Sequence, residues 1–310
     1  MANEQEKNIV SIPDGTTRIG TKAFSGRTDI ESVIIPDSVT EIGEDAFKEC
    51  TGLKNVVIPN SVTTINGGAF SGCTALSNVV LGDSVKEIKY FAFYKCTNLK
   101  NIVFPVSLEK IGGSAFMGCS SLTNIVIPSS VDSIGDDVFS DCTNIRSLKV
   151  KEGNKNYDSR DNCNGIIEKF RSILIAGCST TVIPHGILET RSFSGCKDLT
   201  NIVIPDTVKM IGGFNNCTGL KEIVIPNSVK EIQNCAFRGC TGLNSVVIPE
   251  SVKKIGWNAF SECTGLTHLT IPSTVRIDGF AFNGCTALKT VEIKGEMKPF
   301  PERMIWENED

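Results

Sequence analysis

Cysteine is the residue type with the greatest potential for chemistry in this chain, since 13 of the 310 residues are cysteines. Ten of them share one position of a repeat of about 23 residues: Cys50, Cys73, Cys96, Cys119, Cys142, Cys196, Cys217, Cys240, Cys263 and Cys285. In stacked repeats their Cα atoms would lie about 5 Å apart, a distance compatible with disulfides. Identical positions point the same way, however, and small buried thiols commonly act as hydrophobic residues. We therefore expect reduced, buried thiols in this column, and greater exposure and reactivity at Cys163, Cys178 and Cys235.

The other residues that commonly support catalysis are scarce. The chain has two histidines, His185 in a turn and His268 on a predicted strand, and the sequence specifies no acidic or nucleophilic partner for either. It contains no phosphate-binding glycine loop, nucleophile elbow or dinucleotide fingerprint. Paired Cys-x-x-Cys sites with a histidine partner, which would indicate zinc, do not occur either. We expect a protein that is not an enzyme, with no cofactor and no metal.

Charge also argues against some partners. The chain has 31 Lys and Arg against 35 Asp and Glu, a net charge of -4. It therefore has no strong overall basic field to attract nucleic acid or an anionic membrane. No stretch approaches 18 uninterrupted apolar residues, so no membrane insertion is expected. The first eight residues contain no apolar signal-peptide core, so the expected location is cytoplasmic, with the cell surface or secretion as the alternative if the sequence is trimmed.

The cysteines belong to a repeat that must position them. One unit, as in residues 53–73, reads Leu-x-x-Val-x-Ile-Pro followed by Ser-Val-x-x-Ile and Ala-Phe-x-x-Cys. The first part alternates apolar and variable residues and predicts a short strand that ends at proline. The second part has apolar residues three and four positions apart and predicts a short helical or 3-10 turn. Phenylalanine forms a further apolar column: Phe24, Phe47, Phe70, Phe93, Phe116, Phe139, Phe193, Phe214, Phe237, Phe260 and Phe282.

A unit of this length cannot bury its apolar face alone, so the units must stack. We predict one α/β solenoid of about 12–13 coils with neighbouring parallel strands about 4.8 Å apart. Residues 8–150 form the N-terminal coils and residues 192–293 the C-terminal coils. Residues 294–310 form a C-terminal cap with an acidic tail.

Residues 151–191 interrupt the repeat. A polar, turn-rich segment at 151–162 is expected to leave the coil as a loop. Residues 165–168 and 172–176 predict a β-hairpin. The insertion is interpreted either as a protruding recognition element or as an irregular coil that is tolerated because loops are easily lengthened.

The repeated Leu-x-x-Ile-x-Ile-Pro-x-Ser-Val-x-x-Ile-Gly-x-x-Ala-Phe-x-x-Cys pattern, from about residue 8 to 293, resembles the BspA-like (treponemal-type) leucine-rich repeat family. The resemblance implies a curved solenoid with a parallel sheet on its concave side. It also implies use of that solenoid as a binding surface. Many members lie on the outside of bacteria or protozoan parasites, where they serve adhesion or attachment to host proteins.

The two-residue period of a strand predicts which side chains face outward. Because Leu53, Val56 and Ile58 point inward, Asn55 and Val57 must point outward. The same positions of the other coils form a valine column beside an asparagine and serine column. Valine at these sites is explained either by its preference for strands or by a protein-binding patch with polar edges. The candidate binding residues are Asn55, Val57, Asn78, Val80, Asn101, Val103, Asn124, Val126, Asn201, Val203, Val224, Val247 and His268.

These observations favour a non-catalytic, monomeric module that binds a protein partner through its concave sheet. The alternative is a surface adhesin or attachment protein that binds host matrix or mucosal components.

Overall fold

Residues 8–293 and 296–299 are described by a computed structural model of the protein. Contacts between Cα atoms divide the chain into unit 1, Met1–Asp158, and unit 2, Ser159–Asp310. Each unit is a parallel-strand β-solenoid in which short strands recur with the sequence repeat, and the chain has about 12 such turns. The boundary falls inside the predicted insertion. The division into N-terminal coils, insertion, C-terminal coils and cap stays a prediction, and the predicted cap, residues 294–310, lies largely outside the described residues.

Unit 1 carries two kinds of strand in most of its coils. The strand predicted from the Leu-x-x-Val segment forms the first sheet, with the orders β1-β3-β5-β7 and β10-β12, and isolated bridges at Asn101 lie between them. A second, two-residue strand forms another parallel sheet in the order β2-β4-β6-β8-β9-β11. The strands are β1 Ile9–Ser11, β2 Arg18–Ile19, β3 Ser32–Ile34, β4 Glu41–Ile42, β5 Asn55–Val57, β6 Thr64–Ile65, β7 Asn78–Val80, β8 Glu87–Ile88, β9 Lys110–Ile111, β10 Asn124–Ile127, β11 Ser133–Ile134, β12 Ser147–Val150 and β13 Tyr157–Asp158.

Unit 2 also contains both kinds of strand after an antiparallel pair, but the first-sheet strands predicted at 181–184 and 201–204 are not formed, and Glu222 makes only an isolated bridge. Strands β14 and β15 form a hairpin at the position predicted for one, and β15 then begins the parallel order β15-β16-β17-β18-β20-β22. The first-sheet strands follow the order β19-β21-β23, and β24 adds to β23 in antiparallel fashion. The strands are β14 Ile166–Glu168, β15 Ile173–Ala176, β16 Glu189–Thr190, β17 Met210–Ile211, β18 Glu231–Ile232, β19 Ser245–Val247, β20 Lys254–Ile255, β21 His268–Ile271, β22 Arg276–Ile277, β23 Thr290–Ile293 and β24 Glu296–Pro299.

The return segment of each coil differs from the predicted helical turn. Among the described residues the one helical element is a 3-10 turn at Arg160–Asn162. Elsewhere the chain after the second strand alternates its hydrogen bonds. The N–H of Phe47 donates to Ala69 in the next coil at 2.8 Å, while that of Lys48 donates to Asp45 within its own turn at 3.1 Å. Every second N–H is therefore used between coils, and the consecutive i to i−4 bonds of an α-helix cannot form.

The core of each unit contains a stack of phenylalanine rings. In unit 1 the centroids of Phe47, Phe70 and Phe93 are 5.3 and 5.4 Å apart, and the planes differ by no more than 7°. In unit 2 the stack runs from Phe193 to Phe282 with spacings of 4.6 to 5.4 Å. These spacings are close to the distance between neighbouring strands, so the rings stack because the coils do.

Residues 151–158 also differ from the expected loop that leaves the coil. Asn154 is 2% exposed and Tyr157 is 7% exposed. The Asn154 amide donates to the carbonyls of Pro128 at 2.9 Å and Val131 at 2.8 Å, and the Tyr157 hydroxyl accepts the N–H of Ile134 at 2.8 Å. This polar segment folds back onto the last coils of unit 1 and satisfies their backbone groups.

Candidate protein-binding surface

The predicted valine column of unit 1 lies exposed. Val57 and Val80 are at outward positions of β5 and β7, where buried valines alternate with them. Exposure is 57% for Val57, 47% for Val80, 81% for Val103 and 44% for Val126. Ile34 continues the column at 56%. We call this column, Ile34 to Val126, the valine face of unit 1.

Unit 2 has a corresponding column. Val203 and Val224 are each 77% exposed, Val182 is 69% exposed and Val247 is 59% exposed. Thr270 and Glu292 continue the column with polar atoms, and the Thr270 hydroxyl donates to the Glu292 carboxylate at 3.2 Å. The apolar part of this face therefore ends at Val247.

A polar column lies beside the valines in both units. In unit 1, Asn55, Asn78, Asn101 and Asn124 pair as successive parallel positions. These four asparagines are exposed, as are Asn201 and His268 of unit 2. The His268 ring nitrogen Nδ1 lies 2.7 Å from the Thr267 hydroxyl. Amide groups directly beside an apolar column offer donors and acceptors to a partner that covers the valines.

The ten cysteines of the repeat column are buried, as predicted. Their thiols occupy one hydrogen-bonding site: Cys73 Sγ donates to the carbonyl of Phe47 in the preceding coil at 3.0 Å, and Cys240 Sγ donates to that of Phe214 at 3.0 Å. Cys163 and Cys178 are buried too, so the expectation that they are exposed is wrong, whereas Cys235 is half-buried. None of the 13 cysteines, all of which lie among the described residues, forms a disulfide.

Burial has an electrostatic consequence for these thiols. It raises the pKa of Cys50 to about 11 and that of Cys240 to about 12, because a thiolate would lose its hydration there. These two thiols are consequently protonated at neutral pH. Thiolates are the nucleophilic and metal-binding form, so this chemistry does not suit a catalytic or metal-binding role.

The two histidines lie on the surface. His185 Nε2 is 3.3 Å from the Asp206 carboxylate, a partner that the sequence did not specify. Within residues 8–293 and 296–299, no group of three or more His, Cys, Asp or Glu side chains is placed to hold a metal ion. The same residues include no helix long and apolar enough to cross a bilayer.

Sequence reasoning missed two surface features. Exposed aromatic residues occur in the turns after the second strands, including Tyr90 at 48% and Trp257 at 47%. A column of lysines also lines the start of the second strands in unit 2. The sequence does show these aromatic residues and lysines at equivalent positions of the repeat. Whether the aromatic rings are exposed, and whether the lysines form ion pairs, depends on the neighbouring coils.

Comparison with known proteins places this architecture in a family. The model of the BspA type leucine-rich repeat region matches residues 3–82, 69–170 and 186–309, with 6 copies. The chain belongs to the BspA-type leucine-rich repeat family. The resemblance inferred from the repeat pattern is thus confirmed. No curated protein matched this BspA-type chain.

Several solved structures are similar to it. A leucine-rich cell surface protein from Faecalibacterium prausnitzii is 28% identical, with a TM-score of 0.71, and the match covers 93% of this chain and 88% of the other. The pneumococcal vaccine antigen PcpA is 25% identical, with a TM-score of 0.70 and coverages of 93% and 68%. A leucine-rich repeat protein from Bacteroides ovatus is 30% identical, with a TM-score of 0.54 and coverages of 87% and 77%.

Proposed function

We propose that this BspA-type repeat protein is a non-catalytic binding module that holds a protein partner on the valine face of unit 1. The observation that carries the proposal is a continuous run of exposed apolar side chains, 44–81% exposed, on neighbouring coils. Exposed apolar patches with polar edges are typical of protein-binding sites. The preference of valine for strands explains why valine is used at these positions. It does not explain why no charged residue interrupts the column from Ile34 to Val126.

The adjacent asparagines suit this function. Partner binding removes water from the valines, and the Asn55 to Asn124 amides can replace lost water contacts with hydrogen bonds at the edge of the patch. Val103, with the highest exposure of the face, has the most apolar area to lose on binding. We propose that Val103 and its neighbour Val126 make the main contact with the partner.

A surface location is the second part of the proposal. One similar structure is of a protein described as a cell surface protein and another is of one described as a vaccine antigen. They support the surface alternative over the cytoplasmic expectation. The proposed partner would then be a protein component of a host matrix or mucosa. Protease treatment of intact source cells should remove the protein if it is displayed, and leave it whole if it is cytoplasmic.

The binding test replaces Val103 and Val126 together by glutamate. Both side chains face water in the free protein, so the fold should lose only about 1 kcal/mol from like charges on neighbouring strands. In a complex the two carboxylates would have to be desolvated without partners, at several kcal/mol. Affinity should therefore fall by at least about 100-fold. The measurement is quantitative capture of host-matrix proteins by the immobilised variant and by the original chain.

Two controls accompany this variant. Thr40→Glu with Thr63→Glu places two carboxylates on exposed sites of neighbouring coils away from the valine face. Lys155→Glu changes an exposed residue of the segment after β12. Both should capture the same proteins at the original level. Full capture by the valine variant together with loss in the Lys155 variant would move the binding site to residues 151–191.

A further inference from the structure

Three lysines of unit 2 form a column on consecutive coils. Lys209, Lys230 and Lys253 each directly precede a second-sheet strand, β17, β18 and β20. The N–H of Lys230 donates to the carbonyl of Lys209 at 2.8 Å, and that of Lys253 donates to Lys230 at 2.8 Å. The three side chains therefore start about 4.8 Å apart. We call them the lysine column.

The positive charges of this column are uncompensated. All three lysines are exposed, and none makes an ion pair with a described residue of unit 2. Lys253 Nζ donates to a backbone carbonyl, that of Glu250, at 3.0 Å. The carboxylate of Glu231, the residue after Lys230, forms an ion pair with Lys254 at 3.1 Å instead. Three like charges this close repel one another, so a negatively charged partner would relieve that repulsion.

The equivalent column of unit 1 has no such charge. The same hydrogen-bond pattern places Thr63, Lys86 and Glu109 on consecutive coils, with N–H to carbonyl distances of 2.8 Å and 2.7 Å. Lys86 forms an ion pair with Glu109 at 3.3 Å, and Asp132 follows on the next coil. The uncompensated column is thus a property of unit 2 and not of the repeat in general.

An apolar element adjoins the lysine column. The N–H of Leu188 donates to the carbonyl of Ser172 in the hairpin at 2.9 Å, and the N–H of Lys209 donates to Leu188 at 2.7 Å. The hairpin turn also carries Phe170, which is 95% exposed, and Leu188 is 45% exposed. A ligand that follows the lysines toward the hairpin therefore reaches an exposed aromatic ring.

We propose that Lys209, Lys230 and Lys253 bind a linear polysaccharide that bears sulfate or carboxylate groups, with Phe170 contacting the apolar face of a sugar ring. The lysine spacing is near the length of one sugar in an extended chain, so one anionic group per sugar can meet each lysine. In an extended peptide, side chains on one side recur only every ~6.6 Å. Together with the exposed Phe170 ring, which can stack on the apolar face of a sugar, this spacing favours an acidic polysaccharide over an acidic peptide. The site is separate from the valine face and takes a different class of partner.

The test measures binding of a fluorescent heparin oligosaccharide to the full chain by anisotropy. With three lysine contacts, counterion release predicts that affinity falls about 20- to 40-fold between about 50 and 200 mM salt. Lys209→Gln, Lys230→Gln and Lys253→Gln together should weaken binding at least tenfold at the lower salt and flatten the salt dependence. Phe170→Ala should weaken binding without changing the salt slope, because it removes no charge.

The matched control removes the same charge from unit 1. Lys86→Gln, Lys100→Gln and Lys110→Gln change three exposed lysines there and should leave heparin affinity within about twofold, since no salt-linked contact is lost. Equal losses in the two triple variants would show a general charge effect and overturn the proposal, as would heparin binding by the unit 2 variant at the original strength. Binding of polyglutamate of the same charge as tightly as heparin would overturn the assignment to a polysaccharide.

Discussion

At the scale of single residues, the cysteine column shows how a reactive residue type becomes inert. Each thiol is small enough for the space beneath the turn, and nine of the ten donate to a phenylalanine carbonyl of the preceding coil, as Cys119 does to Phe93 at 3.0 Å. The exception is Cys196, whose thiol donates to the carbonyl of Gly177 at 3.9 Å. Serine would make a stronger hydrogen bond but would bury a more polar group. Burial raises the pKa of the Cys285 thiol to about 12 and removes access for reagents. Both effects slow thiol chemistry.

We therefore expect one reactive thiol in the native protein. Iodoacetamide at pH 7.5 should modify Cys235, which is half-buried, and should leave the 12 buried cysteines unmodified until the chain is unfolded. Peptide mass spectrometry of the native and urea-unfolded protein measures this directly. The Cys235→Ser variant should take up no label in its native state. Rapid native labelling of Cys50 or Cys240 would contradict the burial of the column.

At the scale of elements, the phenylalanine stack joins the coils of each unit. Phe116 lies between Phe93 at 5.3 Å and Phe139 at 5.8 Å, and meets Phe104 edge-on at 5.6 Å. Phe24, by contrast, is only half-buried and stacks on Phe47 at 5.1 Å. An interior ring thus contributes contacts to two coils, whereas a ring near the start of the stack has fewer neighbours to lose.

Truncation of these two rings should have unequal effects. Phe116→Ala should lower the free energy of unfolding by about 3 to 5 kcal/mol, since it opens a cavity between well-packed coils. Phe24→Ala should cost less, because part of its ring already contacts water. Urea unfolding followed by circular dichroism gives both values. Small and equal losses would indicate that the stack does not hold the coils together.

At the scale of the whole molecule, the many buried thiols make the free energy of unfolding depend on pH in the alkaline range. Unfolded thiols lose their protons around pH 9, the ordinary value, whereas the native pKa of Cys50 is about 11 and that of Cys240 about 12. Between these values the unfolded chain binds fewer protons than the native one. The free energy of unfolding must then decrease as pH rises.

The urea midpoint should accordingly hold steady from pH 7 to 8.5 and fall progressively from about pH 9 toward 11. A Cys240→Ala variant is expected to start lower at pH 7, because it loses buried volume, but to lose less between pH 8.5 and 11. An equal decline in the variant would show that the titration of Cys240 does not contribute to the alkaline effect.

Local patterns in the sequence predicted much of this architecture. The repeat places Phe70 and Cys73 at fixed positions of every coil, and stacking then buries their columns without any further information. The two-residue period of a strand likewise places Val57 outward once Val56 is inward. These properties depend only on spacing along the chain, which is why the core, the family and the exposed valines could be predicted. That the valine face binds a partner stays a prediction.

Other properties depend on which coil lies next to which. Residues 62–73 have helical spacing, yet Gly68 and Gly72 adopt positive φ values of 63° and 74°, and the turn forms hydrogen bonds with neighbouring coils instead of a helix. The polar Asn154 is buried because it finds the carbonyls of Pro128 and Val131. Whether a lysine forms an ion pair likewise depends on which residue lies at the same position one coil away. The sequence by itself determined the period and the core columns, and only the tertiary structure decided the hydrogen-bond and charge partners, because those partners lie about 23 residues apart and meet through stacking.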